Sequence, residues 1–133
     1  MIVFYKNSGM VMHKGSGFDY GISEMLKSYY KNPNFTFVNR IDKETSGLVL
    51  GSKNLPKTRE LTEKIRDRDI SKSYYVLVKG NTPAKFVVKN KLKDNGERVV
   101  LDKDGKDAIT YFEKLDYNDG ISLLKAELET GRK

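Results

Sequence analysis

The run Arg40-Ile41-Asp42-Lys43-Glu44-Thr45-Ser46-Gly47 holds residue types that can do chemistry. Asp42 stands two residues after Arg40, beside Lys43, and five before Gly47. Thr45, Ser46 and Gly47 suit a tight turn into the apolar run Leu48-Val49-Leu50. A loop feeding a buried strand is a rigid mount for a reactive group. Arg40 and Lys43 place cations nearby, which suits an ionised carboxylate, and an ionised, positioned carboxylate is a competent nucleophile. The same residues also suit a turn carboxylate that balances local charge, the commoner role of a surface ion pair. Composition leaves both readings open.

Little other chemistry is available. Cysteine is absent, which removes disulfides, thiolate catalysis and Cys-based zinc sites. It also fits a reducing compartment such as the cytoplasm. His13 is the single histidine, so multi-histidine metal sites are excluded. His13 lies on an apolar stretch, and a structural role is expected for it. No Asp/Glu cluster has the spacing of a calcium loop. What remains is carboxylates, hydroxyls, tyrosine, lysine and arginine, with no metal expected, although all-carboxylate Mg²⁺ binding stays open. No apolar run approaches the ~20 residues of a membrane span, and "MIVFYKNSG" lacks the pattern of a signal peptide. Lys and Arg number 25 against 18 Asp and Glu, a net charge of +7. Such an excess suits a polyanion such as RNA or DNA, and is shared with many other proteins.

The elements that must hold Asp42 emerge from periodicity. The 133 residues suffice for one domain with a core. "IVFYK" and the residues after Gly9 read as short strands broken by Asn7-Ser8-Gly9 and Gly15-Ser16-Gly17. Ile22, Met25, Leu26, Tyr29 and Tyr30 form the stripe of a short amphipathic helix, with Pro33 beyond it. "FTFV" and "GLVLGSK" read as strands around the Asp42 loop. Asn54 is placed to cap a second helix with Pro56 in its first turn, and Glu60 and Lys64 stand at i,i+4. "KSYYVLVKG", "KFVVKNKL" and "RVVLD" read as strands, and a hairpin turns at Asn118-Asp119-Gly120. Leu124, Ala126 and Leu128 alternate with charged residues on its returning strand. The fold class expected is α+β: a mixed, mainly antiparallel sheet with two flanking helices.

Residue order narrows the choice at Asp42. "NRIDKETSGLVL" resembles the "HRLDxxTSGLLL" signature of the RluA-type pseudouridine synthases (the RsuA/RluA family). Three other stretches agree, in the family's order. Lys6-Asn7-Ser8-Gly9 with Val11 and His13 is similar to "KPxGxxVH". "KSYYVLVKG" is similar to "KxYxALVxG". Leu128-Glu129-Thr130-Gly131-Arg132 resembles the start of "TGRxHQIR". The resemblance implies an enzyme that isomerises selected uridines of rRNA or tRNA to pseudouridine, without metal or organic cofactor. It implies Asp42 as the nucleophile, attacking the ribose C1′ or acting through a related elimination. It places Tyr74 against the target base and Arg40 as the residue that assists nucleotide flipping. Lys72 can pair with a carboxylate or a phosphate, and RNA contact is expected for it and for Arg132. This chemistry needs the base out of its stack and an aromatic face to hold it.

Departures from the pattern are Asn39 for its histidine, Asn7 for its proline and Val76 for its alanine. The sequence stops at Arg132-Lys133, inside the last motif, so residues 1–133 are expected to be a single but incomplete catalytic domain, at best weakly active alone. A non-catalytic RNA-binding remnant of the same fold is the alternative.

Overall fold

The structure, a computed structural model, describes residues 1–15, 17–96 and 99–129. They fall into two compact units, Met1–Ile70 and Ser71–Lys133.

In the first unit, β1 (Ile2–Lys6), β2 (Thr36–Phe37) and β3 (Gly47–Ser52) form an antiparallel sheet in the order β1-β3-β2. Strand alternation splits β3 between two environments. Val49 is fully buried, whereas Leu48 is 64% exposed. Phe35 and Phe37 pack edge to face at 5.0 Å, and Phe4 meets Phe37 at 6.1 Å. Gly51 makes room for these rings: a β-carbon there would lie 3.1 Å from Phe35 and 3.2 Å from Phe37. Met12, Ile22, Ile41 and Leu61 complete the buried set.

Helix α1 (Ile22–Tyr29) packs by one edge of its predicted stripe. Ile22 is buried, but Met25 and Tyr29 face out. The strand expected after Gly9 is instead a loop, with one isolated bridge between Gly15 and Phe18. The helix start explains this. The N–H groups of Ile22 and Ser23 lack intrahelical partners and take the carbonyls of Val11 and Met12 at 2.9 and 3.0 Å. Gly21 is the cap, and a β-carbon there would meet the His13 backbone at 2.5 Å.

Glu24 locks the same corner. Its Oε2 accepts from the N–H groups of Gly21 (2.9 Å) and Lys14 (3.0 Å), and Oε1 lies 3.8 Å from His13 Nδ1. Burial by itself pushes the carboxyl up, but the backbone N–H groups of Lys14, Glu24 itself and Gly21, with His13, outweigh it and hold it below its usual 4.5. A carboxyl lowered on folding stabilises the native state above 4.5, and that contribution is lost as pH falls through the folded value. Glu24→Gln is therefore expected to cost about 1 kcal/mol at neutral pH, the scale of a lost helix cap. Thermal melts should show the gap closing in acid; a gap that is constant with pH would refute the charge-based account.

Helix α2 (Leu55–Arg66) begins as predicted. Asn54 Oδ1 accepts from Lys57 N at 3.1 Å, with Pro56 in the first turn. Leu61 is its buried residue. The hydrogen-bonded partner of Glu60 is Lys57 at 2.8 Å, one turn back, rather than Lys64. The i,i+3 spacing serves such a pair as well as i,i+4.

The second unit is a sheet of β4 (Ser73–Lys79), β5 (Lys85–Asp94), β6 (Val99–Leu101), β7 (Lys106–Asn118) and β8 (Ile121–Leu128). Its order is β4-β8-β7-β5-β6, every pair antiparallel. Asp119 (φ 48°) and Gly120 (φ 75°) turn the β7–β8 hairpin, both with the positive φ that a two-residue turn of this hand demands. Leu124 and Ala126 are buried, and Phe86 stacks on Phe112 at 4.9 Å. Two helices with antiparallel sheets make this the α+β class the sequence predicts. Among the described residues, no helix is long and apolar enough to cross a membrane.

Candidate active site

Asp42 sits in the loop between β2 and β3, and that loop is tied down along its length. Its turn closes through Thr45 N–H donating to the Asp42 carbonyl at 3.1 Å. Ile41, one residue before, is buried at 8% exposure, while Arg40 and Asp42 on either side are exposed. Asn39 Oδ1 accepts from Leu50 N at 2.7 Å, joining the start of the loop to β3. Gly47, with φ +142°, starts β3 in a backbone region that disfavours side chains.

The opposite side of the loop is held by residues 6–10. Lys6, at the end of β1, is fully buried. Its Nζ donates to the carbonyls of Asn7 (3.0 Å), Met10 (2.9 Å) and Lys43 (2.8 Å), so all three ammonium protons have acceptors. Gly9 N–H donates to the same Lys43 carbonyl at 2.8 Å, and Ser8 Oγ to the Glu44 carbonyl at 2.8 Å. Burial pulls the Lys6 ammonium below its usual 10.5, while Glu44 and then Asp42 push it back up. Lys43 turns its ammonium toward Glu44 (3.7 Å) and over the Phe18 ring (5.1 Å). The result is a carboxylate exposed to solvent on a backbone with little freedom.

Tyr74 and Lys72 lie in the second unit. Tyr74 is on β4 opposite Ala126 of β8, and is half-buried. Strand alternation puts it on the face of Val76 and Val78, while Tyr75 and Leu77 take the other face and are exposed. Lys72 is half-buried just before β4, and its carbonyl accepts from Leu128 N at 3.4 Å. Arg40 and Asp42 thus share one loop, Tyr74 lies near the start of β4, and Lys72 lies immediately before it. Arg132 lies outside the described residues. Sequence reasoning gives Lys6 and Asn39 no role, although both fall in its motifs. The signal for Lys6 is a lysine closing an apolar strand immediately before Asn-Ser-Gly.

Comparison with known proteins identifies the fold and the family. The family model for RNA pseudouridylate synthase matches residues 1–133. Two solved human structures share the fold. RNA Pseudouridylate Synthase Domain Containing 4 has a TM-score of 0.78 at 19% identity, covering 98% of this chain and 56% of that one. RNA Pseudouridylate Synthase Domain Containing 1 gives 0.75 at 18%, covering 98% and 57%. The chain belongs to the RNA pseudouridylate synthase family. Among curated relatives it is similar to the ribosomal large subunit pseudouridine synthase C of Haemophilus ducreyi, with 35% identity over 140 residues. The protein of that name from Pasteurella multocida is 34% identical over 139 residues. Each match covers 99% of this chain but 43% of the relative, so the chain spans less than half the length of either.

Proposed function

We propose that the protein carrying this chain isomerises uridine to pseudouridine in RNA, with Asp42 as the nucleophile. The observation that carries this reading is the cross-bonded loop that presents Asp42 to solvent, within a chain of the pseudouridylate synthase family. In the reaction the carboxylate attacks C1′ of the target ribose, or an elimination reaches the same stage. On the attack route the N1–C1′ bond breaks as the carboxylate bonds to C1′; the uracil turns over, and C5 bonds to C1′ as the C1′–carboxylate bond breaks and frees Asp42. The C5 proton then leaves, with Tyr74 assisting, and N1 takes up a proton. Arg40, exposed beside Asp42, assists extrusion of the nucleotide, since the bond is inaccessible while the base is stacked. Lys72 and Arg132 contact RNA, and basic residues grip phosphates without reading sequence.

The two units are halves of one catalytic domain in this reading, supported by the single family description that runs through both. The names of the relatives favour RNA of the large ribosomal subunit over tRNA as substrate, and a cytoplasmic setting. The test supplies rRNA and tRNA tritiated at uridine C5 and measures tritium release by the protein expressed from its own reading frame. Release from rRNA supports the reading. RNA binding without release from either substrate would support a non-catalytic RNA-binding remnant instead.

Tyr74 separates stacking from proton transfer. Tyr74→Phe keeps the ring and should leave RNA affinity within about twofold while slowing release. Tyr74→Leu should also weaken binding of the extruded base, by the ~1–3 kcal/mol of a lost stacking contact. Equal, small effects of both variants on kcat would argue for a packing tyrosine.

A further inference from the structure

Past Phe37, the ladder between β2 and β3 ends in an irregular way. Phe37 lies opposite Gly51, and the Val38 N–H still reaches the Leu50 carbonyl at 2.8 Å. In a regular antiparallel pair the matching donor, Leu50 N–H, would return to a main-chain carbonyl. Here it goes to the side-chain Oδ1 of Asn39 at 2.7 Å. An asparagine amide carries the same kind of acceptor as a peptide, on a short side chain, so it can stand in for the strand. The main chain is thereby released from the sheet without leaving a β3 donor unpaired.

The release point fixes the course of the next three residues. Asn39 is pinned to β3, and Ile41 is pinned in the core. The residues that alternate with these two pins, Arg40 and Asp42, are the exposed ones. We propose that Asn39 is a positioning residue for the modification reaction: its side-chain bond to Leu50 fixes where the chain leaves β3 and so where Arg40 and Asp42 project. The inference rests on the reading of Arg40 and Asp42 given above. The competing account is a strand end with no bearing on catalysis.

Asn39→Leu keeps the side-chain size and removes the acceptor. Deuterium exchange at the Leu50 amide should accelerate about tenfold, and kcat for tritium release should fall about tenfold, the scale of one hydrogen bond lost at a partly buried donor. RNA affinity should stay within about twofold, because phosphate contacts are untouched. Adding Arg40→Ala to Asn39→Leu should cost less than the product of the two single effects, since part of the effect of Asn39 passes through Arg40. Asn39→His, whose neutral ring offers an acceptor nitrogen, should recover the rate.

Independent, multiplying effects of Asn39→Leu and Arg40→Ala would overturn the proposal. So would an unchanged kcat with the Leu50 amide opened. If Asn39→Leu does not fold, Asn39→Ser and Asn39→His carry the same comparison with shorter and longer acceptors. Asp42→Asn run in parallel separates the two levels of failure. Full release by Asp42→Asn defeats the reading of Asp42, and this inference with it. Abolished release there, beside a wild-type rate in Asn39→Leu, defeats the role of Asn39 alone.

Discussion

Asp42→Asn is expected to lower tritium release from C5-labelled RNA by on the order of 10⁴-fold or more, the scale of deleting a nucleophile. The amide has the shape of the carboxylate but cannot attack C1′. The fold should survive, because Asp42 is exposed and its contribution to the turn is its main-chain carbonyl, which accepts from Thr45 N–H. Surface substitutions of this kind usually move stability by less than about 0.5 kcal/mol. RNA affinity should hold or tighten slightly, since the change removes one negative charge that would repel phosphates. The paired result, binding retained and chemistry lost, marks a group used in the transition state rather than in ground-state binding. Release at the wild-type rate would show that Asp42 is the turn carboxylate its composition alone suggests.

The elements around this loop were legible because their signals are local. Asn54 with Pro56 marks a helix start wherever it occurs, and Asn118-Asp119-Gly120 marks a hairpin through the φ its turn needs. The alternation of Leu124 and Ala126 with charged neighbours predicted the buried face of β8. What could not be read depends on partners distant in sequence. The residues after Gly9 have the composition of a strand, yet the carbonyls of Val11 and Met12 are drawn to the unsatisfied N–H groups of α1. Met25 and Tyr29 fit a helical stripe, but nothing in periodicity says how much of that stripe the rest of the unit covers. At the candidate site, residue order singled out Asp42. Composition did not, because an acid among cations is common. The supports of Asp42 are hidden for a related reason. A lysine is almost never fully buried, so Lys6 reads as a surface cation until the three carbonyls around it are seen.

Lys6 yields the second large expected effect, and its sign has to be argued. Taking an ammonium out of water is costly, and replacing a buried charge by an apolar group of similar size is often neutral. That favourable term fails here because the acceptors stay behind. In Lys6→Met the unbranched chain still fills the space beside β3, but no donor replaces Nζ. The Lys43 carbonyl keeps Gly9 N–H, and the Asn7 carbonyl keeps only a long bond of 3.4 Å from Met10 N. The Met10 carbonyl loses its Nζ donor at 2.9 Å. These acceptors are only partly buried, so losing the donor costs toward the low end of the ~1–3 kcal/mol of an unpaired group, about 1 kcal/mol each. Offset by the relieved desolvation, a net loss of up to about 2 kcal/mol is expected, or a melting temperature lower by up to roughly 5–10 °C. The functional loss should exceed that. Lys6 is the group that ties residues 7 and 10 to the carbonyl next to Asp42, so its removal loosens the mount of Asp42. A misplacement of about 1 Å is enough to cost on the order of 10²-fold in rate. Tritium release well below the melting temperature should therefore fall in kcat, with RNA affinity little changed. Lys6→Arg, which keeps the charge but is too bulky and planar for three converging carbonyls, should not restore it. A Lys6→Met protein with unaltered kcat would mean that Ser8, Gly9 and Asn39 hold the loop without Lys6.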